Sequence, residues 1–138
     1  MGIILTDTPT RYGLVSVLMH WLIAMTYLGL FCIGWYMMTL DYYNPWYIAL
    51  PHWHKSIGML LLVVVLCLGV WRLTVKKPLN LENHLGWEVK SSRIAHWLLG
   101  LGVLIVLVSG YLIPTAEGSG ISVFNWGTFP AAFSLPGQ

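Results

Sequence analysis

Three apolar stretches, each long enough to cross a lipid bilayer, constrain this chain more than any other feature in it. They cover about residues 12–38, 54–75 and 94–113. A spanning helix needs about 20 mostly apolar residues. In hydrocarbon the backbone must satisfy its own hydrogen bonds, which leaves helices or closed barrels. Unbroken apolar runs of this length, without strict alternation, read as helices. The second is expected to begin near His52 to His54, and the third to stop at Pro114, where the backbone loses a donor. The first is too long for a cleavable signal peptide, and no small-residue cleavage site follows it.

Composition closes off the other classes. Of 138 residues, 57% are apolar and 9% charged, and the mean hydropathy is +0.72. Soluble domains carry about 25% charged residues. Disorder needs low hydrophobicity and high charge. The net charge of +2 is too small and too scattered to line a nucleic-acid groove, so no nucleic-acid partner is expected. The expectation is one all-α membrane domain over residues 1–138, with the lipid bilayer as partner and an interfacial tail over 114–138. Cys32 and Cys67 fit no disulfide or metal-binding spacing and read as small buried hydrophobes. No repeat or low-complexity segment interrupts the chain.

Charge orients the spans. Arg72, Lys76, Lys77, Lys90 and Arg93 lie in or beside the second connection, and Arg11 precedes the first span. The first connection region carries only Asp41 and Lys55, and the tail only Glu117. The positive-inside rule puts the N-terminus and the second connection in the cytoplasm. Tyr42, Tyr43, Trp46, Tyr47 and Trp53 then form an aromatic belt at the outer interface. Trp126, Phe129 and Phe133 suggest a tail lying along that interface, kept irregular by Pro130 and Pro136.

An ionisable residue inside a span is costly and marks a functional position. His20 lies a third of the way into the first span, His54 at the outer end of the second, and His96 at the cytoplasmic end of the third. His52 and His84 fall at boundaries and read as surface histidines. At about 100° per residue, Ala24 and Gly34 share the His20 face, Gly58 and Gly69 the His54 face, and Gly100 and Gly110 the His96 face. Neutral imidazole is a usual haem-iron ligand, and small residues beside it make room for a flat porphyrin. Arg72, five turns beyond His54, could pair with haem propionates. Small residues at helical spacing also mark plain helix packing in membranes. Structural zinc wants four clustered ligands, which these separated histidines do not supply. At 1.5 Å per residue, His20 lies roughly 10 Å to the cytoplasmic side of its span's centre, too far from His54 to share one iron with it. Two irons at different depths would form an electron path across the bilayer. By depth alone, His20 and His96 could share one haem.

The strings carrying these residues resemble the prokaryotic cytochrome b561 family. They are Arg11-Tyr12-Gly13 with His20-Trp21-Leu22, His54-Lys55-Ser56-Ile57-Gly58 with Trp71-Arg72-Leu73, Arg93-Ile94-Ala95-His96-Trp97, Ser109-Gly110-Tyr111-Leu112, Thr115-Ala116-Glu117-Gly118 and Gly120-Ile121-Ser122-Val123-Phe124. The resemblance spans nearly the whole chain. It implies an all-α membrane fold, with three transmembrane helices of an up-and-down four-helix haem-binding bundle in a bacterial cytoplasmic membrane. It implies two b-type haems and exchange of electrons with quinone, and one branch of the family oxidises superoxide and reduces ubiquinone. Carried over, His20 and His54 are axial ligands, and their partners are two histidines on a fourth helix. His96 would line a quinone pocket or contact a haem edge, in place of the shared-haem reading. The sequence ends at Gln138, where that helix should begin, so the helix is expected from the continuation of the chain or from another chain.

The leading expectation is therefore an electron-transfer cytochrome. Lys55 could draw in a small anion such as superoxide, or simply be a solvated lysine. One alternative is a cytochrome b subunit anchoring a hydrogenase or formate dehydrogenase. Another is a non-redox anchor or scaffold in which the histidines serve packing. Transport is disfavoured, since no span holds a carboxylate and no broken helix pair is present.

Overall fold

Each apolar stretch forms one helix in the computed structural model, which describes residues 4–74, 85–116 and 118–133. The helices are α1 (Leu14–Met37), α2 (Trp46–Thr74) and α3 (Gly86–Thr115), and all three are long and apolar enough to cross a membrane. Two short strands follow, β1 (Ile121–Val123) and β2 (Gly127–Phe129). Val75, Lys76, Lys77, His84, Glu117 and Pro136, used above for span ends, orientation and loops, lie outside the described residues.

Helix boundaries differ from the apolar boundaries, because a helix continues wherever its end groups are satisfied. α2 starts eight residues before the expected 54. Asn44 caps it: its Oδ1 accepts the Trp46 N–H at 2.9 Å, and Pro45, just before the first helical residue, has no N–H to leave unsatisfied. Pro51 falls early in the helix and removes one further bond. α3 starts at Gly86, eight residues before the expected 94. The Glu88 carboxylate accepts the Leu85 N–H at 3.2 Å and sits favourably at the positive end of the helix. α3 does not stop at Pro114 but runs to Thr115, whose hydroxyl donates to the carbonyls of Tyr111 (2.9 Å) and Leu112 (3.2 Å). Replacing Asn44 by alanine is expected to cost about 1 kcal/mol. A lower midpoint in detergent unfolding, with Asn44→Asp close to the parent, is the check.

At the other end of α1, residues 4–13 fold back and supply the missing acceptors. The Leu14 N–H bonds to Ile4 O (2.9 Å) and the Val15 N–H to Leu5 O (3.3 Å). Asp7 accepts the Gly13 N–H (2.6 Å) and the Ser16 hydroxyl (2.9 Å) through its two carboxylate oxygens. Gly13 is buried there, and a Cβ on it would run into the backbone of Leu5 and Thr6.

α2 is the middle helix of an up-and-down arrangement: α1 and α3 pack on it and not closely on each other among the described residues. Leu30, Leu61 and Leu107, one from each helix, form the core, flanked by Tyr27, Ile57 and Val65. Much of the remaining helix surface faces outward. Cys32 and Cys67 are exposed rather than buried, since both fall outside that narrow core.

Within the tail, residues 121–129 form an ordered hairpin rather than an irregular strip. β1 and β2 pair antiparallel, with Val123 opposite Gly127. Phe124 and Asn125 both have positive φ (45° and 62°), and the Trp126 N–H bonds back to Val123 O at 2.9 Å. Those signs are those of the mirror-image type I turn, whose twist suits a hairpin. Ile121 and Val123 pack on Met59 of α2, and the Tyr111 hydroxyl donates to Pro130 O at 2.8 Å. The hairpin thus covers α2 and α3 at the end where α1 also finishes. Trp126, Phe129 and Phe133 project outward from it. Tyr42, Tyr43 and Tyr47 in and after the α1–α2 connection are exposed too, with Tyr42 edge-on to both neighbours at 5.8 and 5.9 Å.

Candidate functional site

His54 is the most constrained of the candidate residues. It lies eight residues, about 12 Å, inside α2, not at the helix end, because α2 begins at Trp46. Its ring rests on Gly34 of α1: a Cβ at Gly34 would sit 3.4 Å from Cε1 and 4.0 Å from Nδ1. Nδ1 is buried and has no hydrogen-bond partner. An unpartnered buried polar nitrogen costs about 1–3 kcal/mol.

Gly34 had been placed on the His20 face by helical spacing, and the structure brings it to His54. His20 is therefore fourteen residues, roughly 21 Å, down the same helix from the level of His54. Its ring is exposed and packs edge-on to Trp21, with centroids 6.0 Å apart. His20 and Gly34, on which the His54 ring rests, mark two levels of one α1 stripe.

His96 is the eleventh residue of α3, well inside the helix rather than at its end. It is exposed, and its Nδ1 lies 2.7 Å from Ser92 O. A carbonyl can only accept, so Nδ1 donates to it, and Nε2 is the ring nitrogen left for another contact. Arg72 is exposed in the last turn of α2, where its charge complements the helix dipole. It lies roughly 27 Å from His54 along α2.

The glycines distinguish room for a flat group from plain helix packing. Gly58 and Gly69 on α2, and Gly100 and Gly110 on α3, have nothing within 4 Å of a Cβ built on them. Only Gly34 of the stripe glycines is at a helix–helix contact. Among the described residues, no three His, Cys, Asp or Glu side chains gather as a metal cluster, so a metal would be reached by single imidazoles at separate levels. Single imidazole donors at separate levels fit haem iron.

Spacing did not single out Ser56, although the His-Lys-Ser-Ile-Gly string contains it. It is fully buried, and its Oγ accepts the Phe124 N–H at 3.2 Å. Asp7 was also passed over, since a cap six residues before its partner has no local signature.

A family model described as prokaryotic cytochrome b561 matches residues 11–135. Cytochrome b561 homolog 2 of Escherichia coli (strain K12) is 40% identical over 132 residues, which are 96% of this chain and 70% of that protein. No solved structure matches the chain. The open imidazole faces and these matches converge: the chain belongs to the prokaryotic cytochrome b561 family, as a multi-pass membrane b-type cytochrome of electron transfer.

Proposed function

We propose that this protein holds haem b at two levels, through His54 and His20, and exchanges electrons between the two sides of a bacterial inner membrane and quinone. One observation supports this above the others: the His54 imidazole, unpartnered at Nδ1 and seated on Gly34, stands roughly 21 Å along α1 from His20. Bound haem supplies reversible one-electron chemistry, while the protein sets ligation, dielectric and access. His54 and His20 would each hold one haem through an imidazole nitrogen, with a fourth helix of the same or another chain as their counterpart. Gly34 lets α1 approach the His54 ring closely, and the glycine faces of α2 and α3 leave space beside the histidines. Arg72 pairs with propionates at the His20 end, and the exposed Nε2 of His96 accepts a hydrogen bond from a quinol hydroxyl. The basic residues Lys90, Arg93 and Arg72 favour the cytoplasm for the His20 end. The exposed Lys55, next to His54, favours small anions such as superoxide at the opposite surface.

The test is optical. Purified full-length protein is expected to show a reducible b-type absorbance and to be reduced by ubiquinol. A colourless preparation overturns the haem reading. A coloured one that is inert to quinol overturns the quinone reading alone.

A further inference from the structure

We infer that Ser56 is a positioning residue for His54: its bond to the hairpin fixes the rotation of the early turns of α2, and with it the direction the imidazole faces. The inference rests on the ligand role proposed for His54. Around α2, Ser56 lies about 200° from His54. The His54 side of this turn rests on Gly34 of α1, and the Ser56 side is held by the turn of the hairpin. The helix is gripped from two sides at the level of one ring.

The grip on the Ser56 side has two points. Oγ accepts the Phe124 N–H at 3.2 Å, and the Phe124 ring meets Trp53 edge-on at 5.3 Å. Trp53 and Ser56 are three residues apart and flank His54 in sequence. The hairpin that makes this contact is itself anchored, through Tyr111 to Pro130 and through Met59 to Ile121 and Val123. Phe124 holds a backbone conformation uncommon for a bulky residue, with φ 45°. Such a conformation persists only where its surroundings over-determine it. Here the surroundings are the Ser56 hydroxyl and the Trp53 and Trp126 rings. A buried hydroxyl placed to accept that particular N–H makes the outer end of α2 rigid in rotation. A ligand ring on this turn then keeps one orientation, as a supporting shell does for metal ligands generally.

The experiment compares Ser56→Ala and Phe124→Gly with the parent, as haem-loaded full-length protein in detergent. Three quantities are read: exchange of the Phe124 amide, the midpoint potential of each haem, and its low-spin paramagnetic resonance signal. Ser56→Ala is expected to speed Phe124 exchange about tenfold or more, because the N–H loses its partner. It is also expected to shift the potential and broaden the signal of the haem lost in His54→Ala, leaving the His20 haem unchanged. Phe124→Gly keeps the N–H that Ser56 accepts and suits positive φ, so the His54-level signal should move less than in Ser56→Ala, with the His20 haem unchanged. Should Ser56→Ala fail to accumulate, Ser56→Cys, similar in volume and weaker as an acceptor, is read in its place. Faster exchange with an unmoved His54-level signal overturns the positioning role and leaves the ligand role standing. Unchanged exchange overturns the latch, and a shift in Phe124→Gly equal to that in Ser56→Ala assigns the effect to the ring instead and also overturns it. If His54→Ala keeps both haem signals, the ligand reading falls and this inference with it.

Discussion

Replacing His54 with alanine is expected to remove one haem signal and leave the other, and His20→Ala the converse. Each single variant should lose about half of the b-type absorbance and the double variant all of it, since each histidine would hold one haem. The separation decides the pattern. Roughly 21 Å of helix lies between the two levels, beyond the range in which substitutions ordinarily couple. Truncating His54 removes no protein hydrogen bond, because Nδ1 has none. Helical content and yield of the haem-free protein should therefore stay close to the parent, so that lost absorbance reports lost ligation and not misfolding. The hole left beside Gly34 should admit free imidazole, and adding it should restore part of the missing signal. Loss of both signals in either single variant would mean that the two histidines serve one shared site. An undiminished spectrum in both variants would remove His20 and His54 as ligands.

Much of this was legible in the sequence because membranes impose few solutions. Low charge and three long apolar runs permit little besides helices, and apart from Lys55 and Arg72 near the two ends of the second, the only Asp, Glu, Lys, Arg or His side chains within them are histidines. What escaped depends on atoms distant in sequence. Helical spacing put Gly34 on the His20 face, but only the packing of α1 on α2 brings it against His54. The start of α2 is signalled by Asn44-Pro45, a capping residue and a proline just before Trp46; the apolar boundary masks it. The start of α3 had no such signal, since Leu85 cannot cap with its side chain and the acceptor comes from Glu88. Three-residue strands are too short for period-two alternation to register, and Phe124 at positive φ runs against its own preference, so the hairpin could not be read locally. Ser56 stood in a quoted motif, yet its partner lies 68 residues away.

Gly13→Ala is expected to be the most damaging single-methyl change, costing about 3 kcal/mol, at the upper end of the overpacking range. The added Cβ meets backbone, from Leu5 and Thr6, and backbone cannot swing aside as a flexible side chain can. To accommodate it, residues 4–13 must leave α1, and four acceptors leave with them: Ile4 O, Leu5 O and both Asp7 carboxylate oxygens. The first turn of α1 then has orphan N–H groups in an apolar setting, where each is costly. Ser16, buried beneath Asp7, loses its bond as well. His20 is one turn beyond Ser16, so fraying should reach the lower imidazole first and the His54 level last. The expected result is a lower unfolding midpoint, faster protease cleavage within residues 4–13, and selective weakening of the haem signal that depends on His20. Asp7→Asn, which keeps one accepting oxygen and the segment's backbone bonds, should fall between Gly13→Ala and the parent. Parental stability and parental cleavage in Gly13→Ala would show that the fold-back segment does not hold the end of α1; equal weakening of both haem signals would show that the damage is not local to His20.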